Sequence, residues 1–145
     1  TFLTINKPVQ DTPNLSSSLV LAADNPSALA RFYADLLAVE PLQGFGASHW
    51  RVPWPAGGFL EIYAPSQSRL QARQPGRLAT CLQRSVPSGN NPEAAMALLQ
   101  AWLASAIGLG ASLLDGPRQE AFGVEAWLLD PEANRLLLLV QNRVS

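Results

Sequence analysis

The sequence predicts an α+β fold: two βαβββ repeats forming a curved mixed sheet with a concave cleft, their helices on the outer face. Three observations carry this. Asn25-Pro26 and Asn91-Pro92 each open a helix-like stretch. Leu29, Phe32, Tyr33, Leu36 and Leu37 return as Ala95, Leu98, Leu99, Trp102 and Leu103 at a constant offset of 66 positions, the mark of an internal repeat. The chain also closes on a strand, turn, strand pattern between Gly123 and Gln141.

Composition bounds the function. The 145 residues are read as one domain, with repeats at about 15–64 and 77–141. Apolar residues make up 48% and charged residues 14%, a globular balance. The net charge of −1 comes with no basic block, so neither nucleic acid nor an anionic membrane is an expected partner. A single Cys81 excludes an internal disulfide framework and a multi-Cys zinc site. No apolar run is long enough to span a bilayer and no signal-peptide pattern follows Thr1, so the expected location is the cytoplasm.

Each element has a local cause. Residues 1–14, with Pro8 and Pro13, read as an irregular arm. Residues 15–23 read as a strand around Val20 and Leu21. Asn25 suits an N-cap and Pro26 the first helical position, where its missing N–H is not needed. The spacing from Leu29 to Leu37 is that of an amphipathic helix, which Pro41 limits. Pro53 and Pro55 make the segment from His49 an edge or a bulge. Gly57-Gly58 is a turn and Phe59–Tyr63 a short strand. After a polar connection over 65–76, residues 77–86 give a strand and Pro87–Asn90 a loop. The second helix ends near Gly108 and Gly110. Ala111–Leu114 reads as a short strand and Asp115-Gly116-Pro117 as a turn. In the closing hairpin Asp130-Pro131 opens the turn and Asn134 suits a left-handed backbone.

The Asp-Pro-Glu-Ala-Asn turn of this hairpin resembles a signature of the vicinal oxygen chelate superfamily. That superfamily includes glyoxalase I, extradiol dioxygenases, and the fosfomycin- and bleomycin-resistance proteins. The opening strand, Asp-Asn-Pro and Ala-Leu-Ala-Arg-Phe-Tyr-Ala-Asp-Leu-Leu are similar to its other common signature. The resemblance covers about residues 15–141. It implies metal ligands on the first and last strands of both halves, falling near Ser17, Glu61, Arg77 and Leu137. Of these only Glu61 has ligand chemistry. No His lies in residues 15–23, 77–86 or 134–141, and the single His is His49. The usual metal site, and any cofactor role for it, is therefore expected to be absent. The resemblance also implies a homodimer with clefts built across its interface.

Side chains alternate faces along a strand. If Glu61 faces the cavity, so do Phe59 and Tyr63. Glu125, Trp127 and Leu129 follow on the strand before the turn, and Arg135, Leu137 and Leu139 after it. Ser17, Leu19 and Leu21 are expected to point in from the first strand, with Arg77, Ala79, Cys81 and Gln83 from the fifth. The expected ligand set is Trp50, Trp54, Phe59, Glu61, Tyr63, Arg77, Glu125, Trp127 and Arg135. Rings beside a carboxylate favour a cationic, aromatic guest.

Plainer readings stand beside these. Trp127 suits a core equally well. Trp50 and Trp54 are interface anchors, cavity walls or packing residues. Glu61 is either a ligand contact or half of an ion pair with Arg77 or Arg135. Cys81 reads as a small apolar residue, and no catalytic residue is assigned. The sequence favours a metal-free binding protein that sequesters a hydrophobic, aromatic or cationic compound, an antibiotic among the options. The alternative is an atypical lyase, isomerase or oxygenase using His49 and Glu61.

Overall fold

The computed structural model describes residues 15–68, 70–73, 76–86 and 92–142. The expected arm at 1–14, the loop at 87–90 and Asn91 lie outside the described residues. In the first half, β1 (Ser18–Ala22) leads into α1 (Pro26–Leu37), then β2 (Leu42–Gln43), β3 (His49–Pro53) and β4 (Phe59–Tyr63). The second half repeats the order with β5 (Thr80–Val86), α2 (Pro92–Gly108), β6 (Ser112–Glu120), β7 (Gly123–Leu129) and β8 (Arg135–Asn142).

The two halves share one topology. The strand orders are β1-β4-β3-β2 and β5-β8-β7-β6. In both, the first strand lies parallel to the last and the remaining pairs are antiparallel. The eight strands thus form two four-stranded mixed sheets rather than one continuous ladder. In each sheet the first strand is an edge, so among the described residues β1 and β5 each keep one unpaired side.

Both helices begin at the prolines that mark them in the sequence. The Asn25 side chain accepts from the Ala28 N–H at 3.3 Å, as an N-cap should. The first helix stops because Ala38 turns left-handed at φ 57° and the Val39 N–H closes onto the Ala34 carbonyl at 2.9 Å. Leu29, Phe32, Tyr33 and Leu36 cover Val52, Leu60 and Ile62. In the second half Ala95, Leu99, Trp102 and Leu103 cover Leu82, Val124, Ala126, Leu128, Leu136, Leu138 and Val140. Each fully buried aliphatic side chain contributes about 1.5–3 kcal/mol.

Tyr33 and Asp130 link the halves. The phenol donates to Asp130 Oδ2 at 2.6 Å, and both residues are buried. The same carboxylate accepts from the N–H groups of Glu132 and Asn134, both at 2.9 Å, which makes the β7–β8 turn. Burial, then the Asp130 charge, pushes the Tyr33 phenol well above its ordinary range. Glu132 reaches from that turn to the N–H groups of Asp24 and Asn25 at 3.0 and 2.9 Å, ahead of α1. No helix among the described residues is long and apolar enough to cross a membrane.

Three expectations need correction. Asp115-Gly116-Pro117 is not a turn between strands: β6 runs through it from Ser112 to Glu120, with register shifts on either side of Asp115. An edge strand tolerates a proline and absorbs it as a bulge. The left-handed residue of the closing turn is Ala133, φ 67°, not Asn134. Asn134 instead gives both its N–H and its side-chain amide to Asp130. The first strand is short, and its register is one residue off the expected parity. Val20 pairs with Glu61, while Leu19 and Leu21 pair with the buried Leu60 and Ile62. Val20, not Ser17, Leu19 or Leu21, therefore shares the face of Glu61.

Candidate functional site

On the first sheet, burial alternates along β4: Leu60 and Ile62 are buried, and Phe59, Glu61 and Tyr63 are half-buried on the face away from α1. The antiparallel partner β3 sets His49 against Tyr63, Arg51 against Glu61 and Pro53 against Phe59. The result is a closed polar cluster. Arg51 Nε donates to both oxygens of Glu61, at 3.1 and 3.0 Å. The Arg51 guanidinium lies 3.8 Å from the Phe59 ring centroid, a cation–π contact. His49 Nε2 lies 2.8 Å from Glu61 Oε1. The Phe45 N–H donates to His49 Nδ1 at 2.9 Å. Nδ1 is thus the acceptor and Nε2 carries the proton given to Glu61. Glu61 is an ion-pair member, but its partner is Arg51 rather than Arg77 or Arg135.

The second sheet has a different open face. Along β7, Val124, Ala126 and Leu128 are buried, and Glu125, Trp127 and Leu129 are half-buried. Register extends this face into rows. Trp127 faces Leu137, which faces Cys81, while Glu125 faces Leu139, which faces Gln83. Partial burial, then the nearby Glu125 carboxylate, raises the Cys81 thiol above its ordinary range. Arg118 is the register partner of Glu125 on β6, yet its guanidinium pairs with Asp115 and, at 4.0 Å, with Glu120. Among the described residues Glu125 has no ion-pair partner. Arg135 stands over Trp127 with 5.8 Å between guanidinium and ring centroid.

The other proposed ligand contacts lie elsewhere. Trp50 packs against the core on the side of Val52. Trp54 also packs there, edge-on to Tyr33 at 5.9 Å. Arg77 is exposed, ahead of a fifth strand that starts at Thr80 rather than 77. Sequence reasoning missed Arg51 and its fork on Glu61. The signal was available: His49 and Arg51 are two apart, the spacing of one strand face.

A divalent metal at the four positions that the sequence resemblance implies would need a donor set that those positions do not supply. Pairing in register with Glu61 is Val20, and with Leu137 is Cys81. That leaves one carboxylate and one thiol on different sheets. The carboxylate is engaged by Arg51 and the thiol is held toward its protonated form. Among the described residues no cluster of three or more His, Cys, Asp or Glu is placed to hold an ion. The residues do not fit such a metal.

No protein-family model and no curated protein matches the chain. Solved structures do. A glyoxalase/bleomycin resistance protein/dioxygenase family enzyme from Burkholderia phytofirmans PsJN superimposes with a TM-score of 0.69 at 14% identity, over 86% of this chain and 97% of that one. A glyoxalase/bleomycin resistance protein from Albidiferax ferrireducens T118 gives 0.63 at 19%, over 87% and 98%. Lactoylglutathione lyase from Agrobacterium tumefaciens gives 0.60 at 17%, over 89% and 95%. The chain has the vicinal oxygen chelate fold. Within that fold its two open sheet faces differ: the Glu61 face is internally neutralised, and the Glu125 face keeps a carboxylate beside a Trp.

Proposed function

We propose that this protein of vicinal oxygen chelate fold binds and sequesters an aromatic, cationic organic compound without a metal-dependent step. The carrying observation is the Glu125–Trp127 face. A ring, two leucines and an unpaired carboxylate lie side by side on rigid strands, which suits a flat cation that displaces Arg135 from the Trp127 ring. The first-sheet residues Phe59 and Tyr63 supply further ring surface, while Glu61 supplies no free charge. An antibiotic is one such compound. We further propose a homodimer that closes the cleft. The edge of β1, unpaired among the described residues, carries Leu19 and Val20, exposed at 40% and 58%, a strip that a second copy would bury.

A second reading rests on the 2.8 Å contact between His49 and Glu61, a geometry open to general-base chemistry. It fares worse on proton bookkeeping. The free lone pair of the imidazole, on Nδ1, is taken by the Phe45 N–H, and Arg51 holds the carboxylate. No base is left facing a substrate.

The test is a thermal-shift screen of chelator-treated protein against planar cationic dyes such as proflavine. Ligand at a hundredfold excess over Kd should raise Tm by about 9 °C, equally with and without added divalent metal. Stabilisation that appears only with metal overturns the reading. So does turnover of a small thiol adduct or catechol that His49→Asn abolishes.

A further inference from the structure

A cavity lies where the two halves meet, and Cys81 and Gln83, the β5 members of the Trp127 and Glu125 rows, form part of its wall. It holds about 360 Å³, within the range of small-molecule sites. Its walls are the C-terminal end of α1 at Leu36 and Leu37, Trp54 beyond β3, Trp102 of α2, and Arg84 on the unpaired edge of β5. The wall mixes apolar and aromatic side chains with Cys81 and Gln83, and among the described residues Arg84 is its only charged side chain.

Arg84 on this wall and the indole N–H sealed beneath it both lack acceptors among the described residues. Trp102 is only 6% exposed, and its Nε1 finds no hydrogen-bond partner among the described residues. A buried N–H without an acceptor is uncommon and costly. Arg84 lies 4.4 Å over the Trp102 ring. Among the described residues no carboxylate pairs with it. Stacking fixes the guanidinium plane and leaves its N–H edge to a planar anion, for which its fork is suited.

From this combination we infer that the cavity between the halves binds a small aromatic carboxylate. The carboxylate pairs with Arg84, and the ring fills the space bounded by Trp54, Leu36, Leu37 and Trp102. The charge of this site is opposite to that of the Glu125 face, so the two select different guests.

The probe is 2-naphthoate, with neutral 2-naphthamide as its matched control, added to the full chain. Binding is read by calorimetry and by the indole N–H resonance that Trp102→Phe removes. Naphthoate should bind and shift that resonance, and naphthamide should bind on the order of tenfold more weakly, the loss of one charge-assisted pair. Arg84→Gln should abolish the preference for the acid, and Arg84→Lys should keep the charge but lose affinity. The unfolding midpoint of each variant shows that it is folded. Equal binding of acid and amide, naphthoate binding unaffected by Arg84→Gln, or no binding at millimolar naphthoate would each overturn the inference.

Discussion

Replacing Tyr33 by Phe isolates the link between the two halves. The substitution keeps the buried ring, its packing on Phe32 and its edge contact with Trp54, and removes one hydroxyl. That hydroxyl donates to a buried carboxylate at 2.6 Å, and hydrogen bonds to charged groups are worth about 1.5–3 kcal/mol. Asp130 keeps its bonds from Glu132 and Asn134, which places the loss at the low end, about 1.5–2 kcal/mol. For a chain of 145 residues this lowers Tm by about 5–7 °C. Urea and thermal unfolding followed by Trp fluorescence measure it. A pH series adds a second readout. The phenol's folded pKa lies above the ordinary 10.0, so its contribution is fully present below the unfolded pKa. It is lost as pH rises from there through the folded value. The wild type should thus lose stability above about pH 10 more steeply than Tyr33→Phe. A variant as stable as the wild type at pH 7, with the same alkaline limb, would refute this account of the joint.

Further outcomes follow from the same geometry. Gly123→Ala should destabilise by more than about 3 kcal/mol, because Gly123 sits at φ 148° and an added Cβ would run into the Val140 carbonyl; urea unfolding reads the loss. Iodoacetamide should label Cys81 more slowly at pH 8 than a free thiol, and Glu125→Gln should speed it, since Glu125 helps to hold the thiol protonated; mass spectrometry follows both rates. Arg51→Ala should cost about 1–3 kcal/mol, because it leaves the half-buried Glu61 with only His49.

Local signals in the chain were strong where the cause was local. Pro26 and Pro92 start helices because a proline at the first turn loses no hydrogen bond, and the repeat at that spacing gave the fold. Alternation along β4, β7 and β8 separated helix-facing from open residues because one face of each strand is sealed by a helix. It failed along β1, where an edge strand with exposed Leu19 and Val20 offers no such contrast. The role of Asp130 was hidden for another reason. As a turn former it needs only its neighbours, but its bond to Tyr33 spans 97 positions, and nothing nearby in sequence announces it. The charge state of the site was equally non-local. Glu61 was legible as facing outward, yet its neutralisation by Arg51 depends on the β3–β4 register, which shifted the free carboxylate to Glu125.

The most direct measurement is a calorimetric titration of proflavine into chelator-treated wild-type and Glu125→Gln protein. Binding by the wild type, with affinity reduced on the order of tenfold in Glu125→Gln, is what a metal-independent cationic site at the Glu125–Trp127 face predicts. Equal affinity in the two proteins, or binding that requires a restored divalent ion, contradicts it.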